Sequence, residues 1–246
     1  MKRIAFFVYG VFSYLIFALT IAYLIGFVGN FFVPKTLDSG RGDSLTQALL
    51  IDLGLILLFG IQHSVMARPG FKEWWTKMIP QPIERSTYVM MASFALLLLF
   101  WQWHPLGGII WQIQNPTASS ILYAISGIGW LIVFASTFLI NHFDLFGLRQ
   151  VYLYLRSQEY KYLEFKTVGL YKYVRHPLML GFIIALWATP QMTVTHLLFA
   201  QGMTIYLLIG IQLEERDMIS IYGDLYRHYR QQVSMLIPFP KIKETA

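Results

Sequence analysis

Long apolar runs dominate this chain and constrain its fold more than any single motif. They cover residues 1–33, 45–66, 87–103, 119–140, 178–189 and 193–213, parted by short polar connections. About 20 apolar residues cross the roughly 30 Å hydrocarbon core of a bilayer. Within that core the backbone must hydrogen-bond to itself, which favours helices. Charged residues make up only 13% of the 246-residue sequence, about half the share of a soluble domain. The expected fold class is an all-α integral membrane protein: one domain, 1–246, holding a bundle of five to six transmembrane helices. The first run is longer than the roughly 7–15 apolar residues of a signal peptide and has no small-residue cleavage site, so it reads as a retained helix. The run at 178–189 is too short to span by itself, since twelve helical residues reach about 18 Å. Five and six crossings both stay open at this point.

The net charge is +6. Such an excess can mark a nucleic-acid binder, but the basic residues here flank the apolar runs, so no nucleic-acid partner is expected and membrane lipid is. With six crossings and a cytoplasmic N-terminus, every Lys and Arg except Lys35 and Arg41 falls on the cytoplasmic side. That asymmetry favours an inner-membrane, multi-pass protein with both termini cytoplasmic. The chain has no cysteine, which removes disulfides, thiolate nucleophiles and cysteine metal sites. No two histidines share an i, i+3 or i+4 spacing, so no metal site is expected. Gly127 and Gly129 lie inside an apolar run and read as helix packing rather than a nucleotide-binding loop.

Two short runs carry the chemistry. The first is Gly169-Leu170-Tyr171-Lys172-Tyr173-Val174-Arg175-His176-Pro177, continuing through Met179 to Gly181. Proline suits the first turn of a helix, where the next backbone N–H groups lack partners and favour an anion. Arg175 and His176 add donors there, unless they only snorkel to headgroups. The second run is Glu214-Glu215, followed by Tyr222-Gly223-Asp224-Leu225-Tyr226-Arg227-His228-Tyr229 and Ile237-Pro238. The two glutamates are expected at the end of the sixth run. Carboxylates at a helix C-terminus oppose its dipole, which calls for a cation, Arg175 or a ligand amine, unless this is simply the first solvated turn. A positive helix start and a carboxylate pair on one side suit a zwitterion such as S-adenosyl-L-methionine. Tyr171, Tyr173, Tyr222, Tyr226 and Tyr229 can face its cation or belong to an interfacial aromatic belt.

Four further residues are candidates for catalysis. Their side chains can supply a base or a cation to a bound substrate. His142 and Asp144 sit at the cytoplasmic end of the fourth run, where Asn141-His142-Phe143-Asp144 can equally form a helix cap with a local hydrogen-bond network. His63 lies about one turn inside the second run, near Arg68, and an ionisable group there points to a function or an interhelical contact. Arg175 completes the set.

The order Gly-x-Tyr-x-x-x-Arg-His-Pro-x-x-x-Gly, then Glu-Glu, then the tyrosine-rich segment and Ile-Pro resembles the C-terminal half of the isoprenylcysteine carboxyl methyltransferase superfamily, over residues 169–238. The resemblance implies a cytoplasm-facing pocket for S-adenosyl-L-methionine, built from the C-terminal hairpin. It implies cofactor contacts from Tyr171, His176, Pro177, Met179, Gly181, Glu214 and Glu215, with a further strip at 163–166. Two departures stand out. Met179 replaces a frequent Tyr, and Gly210, Ile211 and Gln212 occupy the stretch where the family places an Arg that holds an acceptor carboxylate. A smaller, uncharged acceptor follows from that gap. The N-terminal half, with Gln62-His63-Ser64-Val65-Met66-Ala67-Arg68-Pro69, Glu84-Arg85-Ser86-Thr87-Tyr88 and Asn141-His142-Phe143-Asp144-Leu145-Phe146-Gly147, is similar to nurim and NnrU-like membrane proteins. The two halves together resemble the bacterial methanethiol S-methyltransferases. That likeness implies methylation of a small volatile thiol, methanethiol, to dimethyl sulfide. Competing expectations are a methyltransferase for an isoprenylcysteine or other lipophilic acceptor, a haem-binding NnrU-like isomerase using His63 and His142, and a non-catalytic nurim-like protein.

Overall fold

The structure is a computed structural model that describes residues 1–40, 44–161 and 163–238. Arg41, Lys241 and Lys243 of the charge pattern lie outside the described residues. The helices are α1 (Lys2–Gly29), α2 (Leu45–Ala67), α3 (Pro69–Trp75), α4 (Glu84–Gln102), α5 (Pro116–Ile140), α6 (His142–Leu145), α7 (Leu148–Leu155), α8 (Pro177–Trp187), α9 (Val194–Tyr222) and α10 (Asp224–Gln232). Strands β1 (Ile109–Gln112) and β2 (Gln191–Thr193) form a small antiparallel ladder.

Five helices, α1, α2, α4, α5 and α9, are long and apolar enough to cross a bilayer. The all-α, multi-pass membrane class is borne out. Helix α8 remains short, with 11 residues, or about 16 Å of rise. Helix ends follow local chemistry. The Ser44 hydroxyl accepts from the Gln47 N–H at the start of α2. Asn115 accepts from the Ala118 N–H ahead of Pro116, the first residue of α5. Asn30, at φ 59°, closes α1 in the left-handed conformation, which Asn tolerates better than most residues. Large apolar side chains such as Leu19, Trp101 and Leu131 are exposed, at no cost where the solvent is lipid.

The chain divides into two compact units. The first comprises Met1–Gln112, Phe143–Lys161 and Gln191–Met203. Its core packs aromatic rings tilted or edge to face, with Phe27 centred 4.8 Å from Phe100 and 6.0 Å from Phe199, and Trp103 5.4 Å from Phe199. The β1–β2 ladder belongs to this unit. The apolar-run reading held no strand there; short connections between helices satisfy their backbone groups by pairing with each other instead.

The second unit comprises Ile113–His142, Tyr162–Pro190 and Thr204–Ala246. Its helices α5 and α8 touch backbone to backbone. A Cβ on Gly181 would lie 2.7 Å from the Gly129 carbonyl oxygen, and one on Gly129 would lie 2.6 Å from the Ala185 nitrogen. Small residues permit that approach between membrane helices. The Ser126 hydroxyl adds a hydrogen bond to the Ala185 carbonyl at 2.9 Å. Gly129 is thus a packing residue, as its sequence setting suggests.

One boundary shifts the argument about the site. Helix α9 does not end at residue 213 but continues to Tyr222. Glu214 and Glu215 therefore sit inside a helix, not at its C-terminus, and the dipole does not require them to be paired. Burial requires it of Glu215.

Candidate active site

A 3-10 turn over Gly169–Lys172 leads into the site. Gly169 adopts φ +52°, and a Cβ there would lie 2.7 Å from the Leu139 side chain, so glycine answers both demands. The chain then straightens. Val174 bridges to Ser234, the Arg175 N–H donates to the Ser234 carbonyl at 2.8 Å, and the His176 N–H donates to the Met235 carbonyl at 3.1 Å. Pro177 opens α8, whose start no side chain caps.

The side chains converge on Glu215. This carboxylate is 3% exposed. Its Oε1 accepts from Arg175 Nε at 2.7 Å and from His176 Nε2 at 3.1 Å, while Oε2 faces Arg230 Nε at 3.2 Å. An ionised carboxylate only accepts hydrogen bonds, so the His176 contact requires the proton on Nε2. Arg175 Nη1 also donates to the carbonyls of Arg230, at 3.2 Å, and Val233. A buried charge is tolerated when paired and hydrogen-bonded in this way. Its neighbour differs. The Glu214 side chain is 46% exposed, with Oε2 3.8 Å from His176 Nδ1.

Aromatic residues close the periphery. The Tyr229 hydroxyl donates to the Tyr171 carbonyl at 2.7 Å, and the Tyr222 hydroxyl donates to the Leu163 carbonyl at 3.4 Å. Phe165, from the strip at 163–166, has its ring 5.3 Å from Tyr222, 5.7 Å from Tyr226 and 5.3 Å from Tyr229. Burial, reinforced by Glu214, raises the Tyr171 phenol above its usual range. Burial also raises Tyr226, and lifts Tyr229 to about 12. These phenols stay protonated at neutral pH and act as donors rather than bases. An apolar groove of about 730 Å³ runs beside the 3-10 turn, lined by Ala135, Phe138 and Leu139 of α5 and by Leu170, Lys172 and Tyr173.

The remaining candidates have partners of their own. Met179 and Gly181 lie on α8, and Gly181 faces the α5 backbone. Asn141 caps α5 through its N–H to the Thr137 carbonyl at 3.1 Å. His142 is buried, its Nδ1 2.8 Å from the Thr137 hydroxyl and its ring stacked 4.2 Å from that of Phe138. Burial draws the imidazole below its ordinary 6.5, keeping it neutral. Asp144 and His63 belong to the first unit. Asp144 pairs with Arg149 Nη1 at 2.8 Å and accepts from the Tyr160 hydroxyl at 3.3 Å. His63 Nε2 meets the Tyr88 hydroxyl at 2.7 Å, beneath an Arg85 guanidinium 4.9 Å from the Tyr88 ring.

The structure thus brings Arg175, His176, Glu214 and Glu215 together, with Tyr171 at the edge. It adds Arg230, which the sequence reading passed over. The available signal was the spacing of Arg230 four residues after the buried Tyr226, which places both on one face of a helix.

The NnrU protein family matches residues 51–232. A methanethiol S-methyltransferase of Crocosphaera subtropica is 58% identical over 231 residues, covering 94% of this chain and 91% of that protein. A methanethiol S-methyltransferase of Mycobacterium tuberculosis is 52% identical over 240 residues, covering 98% of both chains. Nurim of Bos taurus is 30% identical over 198 residues, covering 76% of this chain and 74% of nurim. No solved structure matches. With a family match across most of the sequence and relatives aligned nearly end to end, the chain belongs to the NnrU protein family.

Proposed function

We propose that this membrane protein is a methyltransferase that uses S-adenosyl-L-methionine to convert methanethiol to dimethyl sulfide. The observation that carries the acceptor is the 58% identity, over 94% of the chain, to a protein named for that activity.

The donor assignment draws on the chemistry of the second unit. The uncapped start of α8 offers backbone N–H groups to a carboxylate. Glu214, half-exposed beside His176, offers a negative charge to an ammonium or sulfonium. The protonated phenols of Tyr171 and Tyr229 offer donors and ring faces. These groups fit the charge pattern of an amino-acid zwitterion carrying a sulfonium. When bound, S-adenosyl-L-methionine supplies an electrophilic methyl group on a cationic sulfur.

The chain's own residues do the rest. Arg175 and His176 hold Glu215 in place and order the start of α8. The groove beside Leu170 and Tyr173 is lined mainly by apolar side chains, which suits a small aliphatic thiol. Thiolate attack on a sulfonium neutralises charge, so a dry site does not penalise it, and fixed alignment of the two sulfurs lowers the barrier further. His142, held neutral by burial, is our candidate for accepting the thiol proton. Asp144 and His63 are candidates for the same task. The charge asymmetry supports a cytoplasmic-membrane location with both termini inside.

The test is direct. Membranes containing the protein, supplied with methanethiol and S-adenosyl-L-methionine, should release dimethyl sulfide into the headspace. No product at saturating concentrations of both would overturn the assignment.

A further inference from the structure

We infer that Arg230 is a positioning residue for the methyl-donor site, acting through Glu215. The inference rests on the donor reading above and deepens it. Glu215 Oε1 already accepts two donors, Arg175 Nε and His176 Nε2. Oε2 faces Arg230 Nε at 3.2 Å. The Arg230 carbonyl in turn accepts from Arg175 Nη1 at 3.2 Å. Arg230 therefore meets Arg175 twice, through the shared carboxylate and through its own main chain. The result is a closed ring: Glu215, Arg175, the Arg230 backbone, the Arg230 guanidinium, and Glu215 again.

The ring ties α10 to the strip that opens α8. The Val174–Ser234 bridge and the hydrogen bonds from the Arg175 and His176 N–H groups to the Ser234 and Met235 carbonyls lie just beyond it. The charges also match. Glu215 meets the guanidiniums of Arg175 and Arg230, and Glu214 stands beside His176. A ligand that carries both a carboxylate and an ammonium meets both signs of charge in such a cluster. Without Arg230, Oε2 of a buried carboxylate loses a charged donor. The carboxylate that orients the His176 imidazole is then anchored from the Arg175 side alone.

Exposure separates this role from a merely structural one. The Arg230 side chain is 44% exposed. Solvent on the arginine side lowers what the pair adds to stability, although Glu215 itself is buried, and shortening the arginine opens no core cavity. If the contact were only a surface ion pair, donor binding would not notice its loss.

The experiment measures Arg230→Gln and Arg230→Lys in the full-length protein, by steady-state kinetics and by calorimetry with S-adenosylhomocysteine. The expected result for Arg230→Gln is a rise of about tenfold in the KM for S-adenosyl-L-methionine and in the Kd for S-adenosylhomocysteine, with kcat within about a factor of two. Arg230→Lys, which restores the charge, should recover most of the loss. Unchanged affinity in Arg230→Gln, or a loss confined to kcat, overturns the inference. The two readings fail separately. Wild-type protein that binds S-adenosylhomocysteine but makes no dimethyl sulfide sinks the acceptor assignment and leaves Arg230 in place. Arg230→Gln that binds as the wild type does sinks the role of Arg230, whatever the acceptor.

Discussion

Among the described residues, Glu215 and Asp52 are carboxylates buried in apolar helices, and they are housed in opposite ways. Glu215 of α9 meets two guanidiniums and an imidazole. Asp52 of α2, with no exposure at all, accepts the His104 N–H at 2.9 Å through Oδ1, with His104 Nδ1 3.9 Å away. Its Oδ2 has no hydrogen-bond partner among the described residues. Lys35 is near enough for the Asp52 charge to offset part of the burial that lowers the lysine's own affinity for its proton. Around Asp52 the other contacts also fasten connections: the Leu106 N–H donates to the Thr195 hydroxyl at 2.8 Å, and the Thr193 hydroxyl donates to Asp38 at 2.6 Å. The first unit uses its buried acid to hold the chain as it leaves α4. The second uses its buried acid to gather charges of both signs next to a helix start. Burial alone does not mark a binding site; the company the carboxylate keeps does.

The largest effect should come from taking that company away. Arg175→Ala removes the shortest donor to Glu215, along with the hydrogen bonds to the Arg230 and Val233 carbonyls. Stripping one partner from a buried ion pair costs about 3–5 kcal/mol. Thermal denaturation in detergent should show that loss, and calorimetry should show S-adenosylhomocysteine binding weakened with it. A variant as stable as the wild type would erase the contrast between the two carboxylates.

His142 sits between these extremes, buried with its Nδ1 against the Thr137 hydroxyl. The unfolded chain takes up its proton near 6.5, while burial makes the folded imidazole resist protonation until lower pH. Over that window the unfolded state binds more protons, so stability falls as pH drops below 6.5 and is fully present above it. His142→Asn should flatten the acid side of a plot of denaturation midpoint against pH. An unaltered slope would show that His142 is not held neutral by its surroundings.

Much of this arrangement was legible in the sequence, for reasons that differ by element. Runs such as 119–140 announce spanning helices, because a continuous apolar segment satisfies its own backbone in lipid only as a helix. Arg175-His176-Pro177 announces a helix start, because Pro suits the first turn. Hydropathy was the wrong guide to the end of α9. The helix keeps its backbone pattern past Leu213 while its side chains turn polar, so the last two turns looked like a loop. Arg230 was hidden because its one local signal, a spacing of four from Tyr226, is faint beside its likeness to Arg227, whose pair with Asp224 is solvent-exposed. Only the return of α10 against residues 174–176 distinguishes the two arginines. Asp52 was visible as an acid inside the run at 45–66, but its partner His104 lies 52 residues away, and no spacing rule connects them.

Asp52→Asn should have the smallest effect. Asparagine is nearly isosteric, and its carbonyl oxygen can still accept the His104 N–H. Its amide nitrogen would stand where Oδ2 now lacks a hydrogen-bond partner among the described residues. One buried acceptor becomes a donor and a buried charge disappears, so the two changes offset each other. The net shift should stay within about 1 kcal/mol, against about 1–3 kcal/mol for Asp52→Ala, which leaves the His104 N–H without its acceptor. Neither variant should change the KM for S-adenosyl-L-methionine, because the contacts of Asp52 fasten a connection and do not reach the residues around Glu215. Steady-state kinetics on Asp52→Asn therefore gives the sharpest check on the comparison. A loss of activity at unchanged stability would mean that Asp52 serves function through its charge, as Glu215 does.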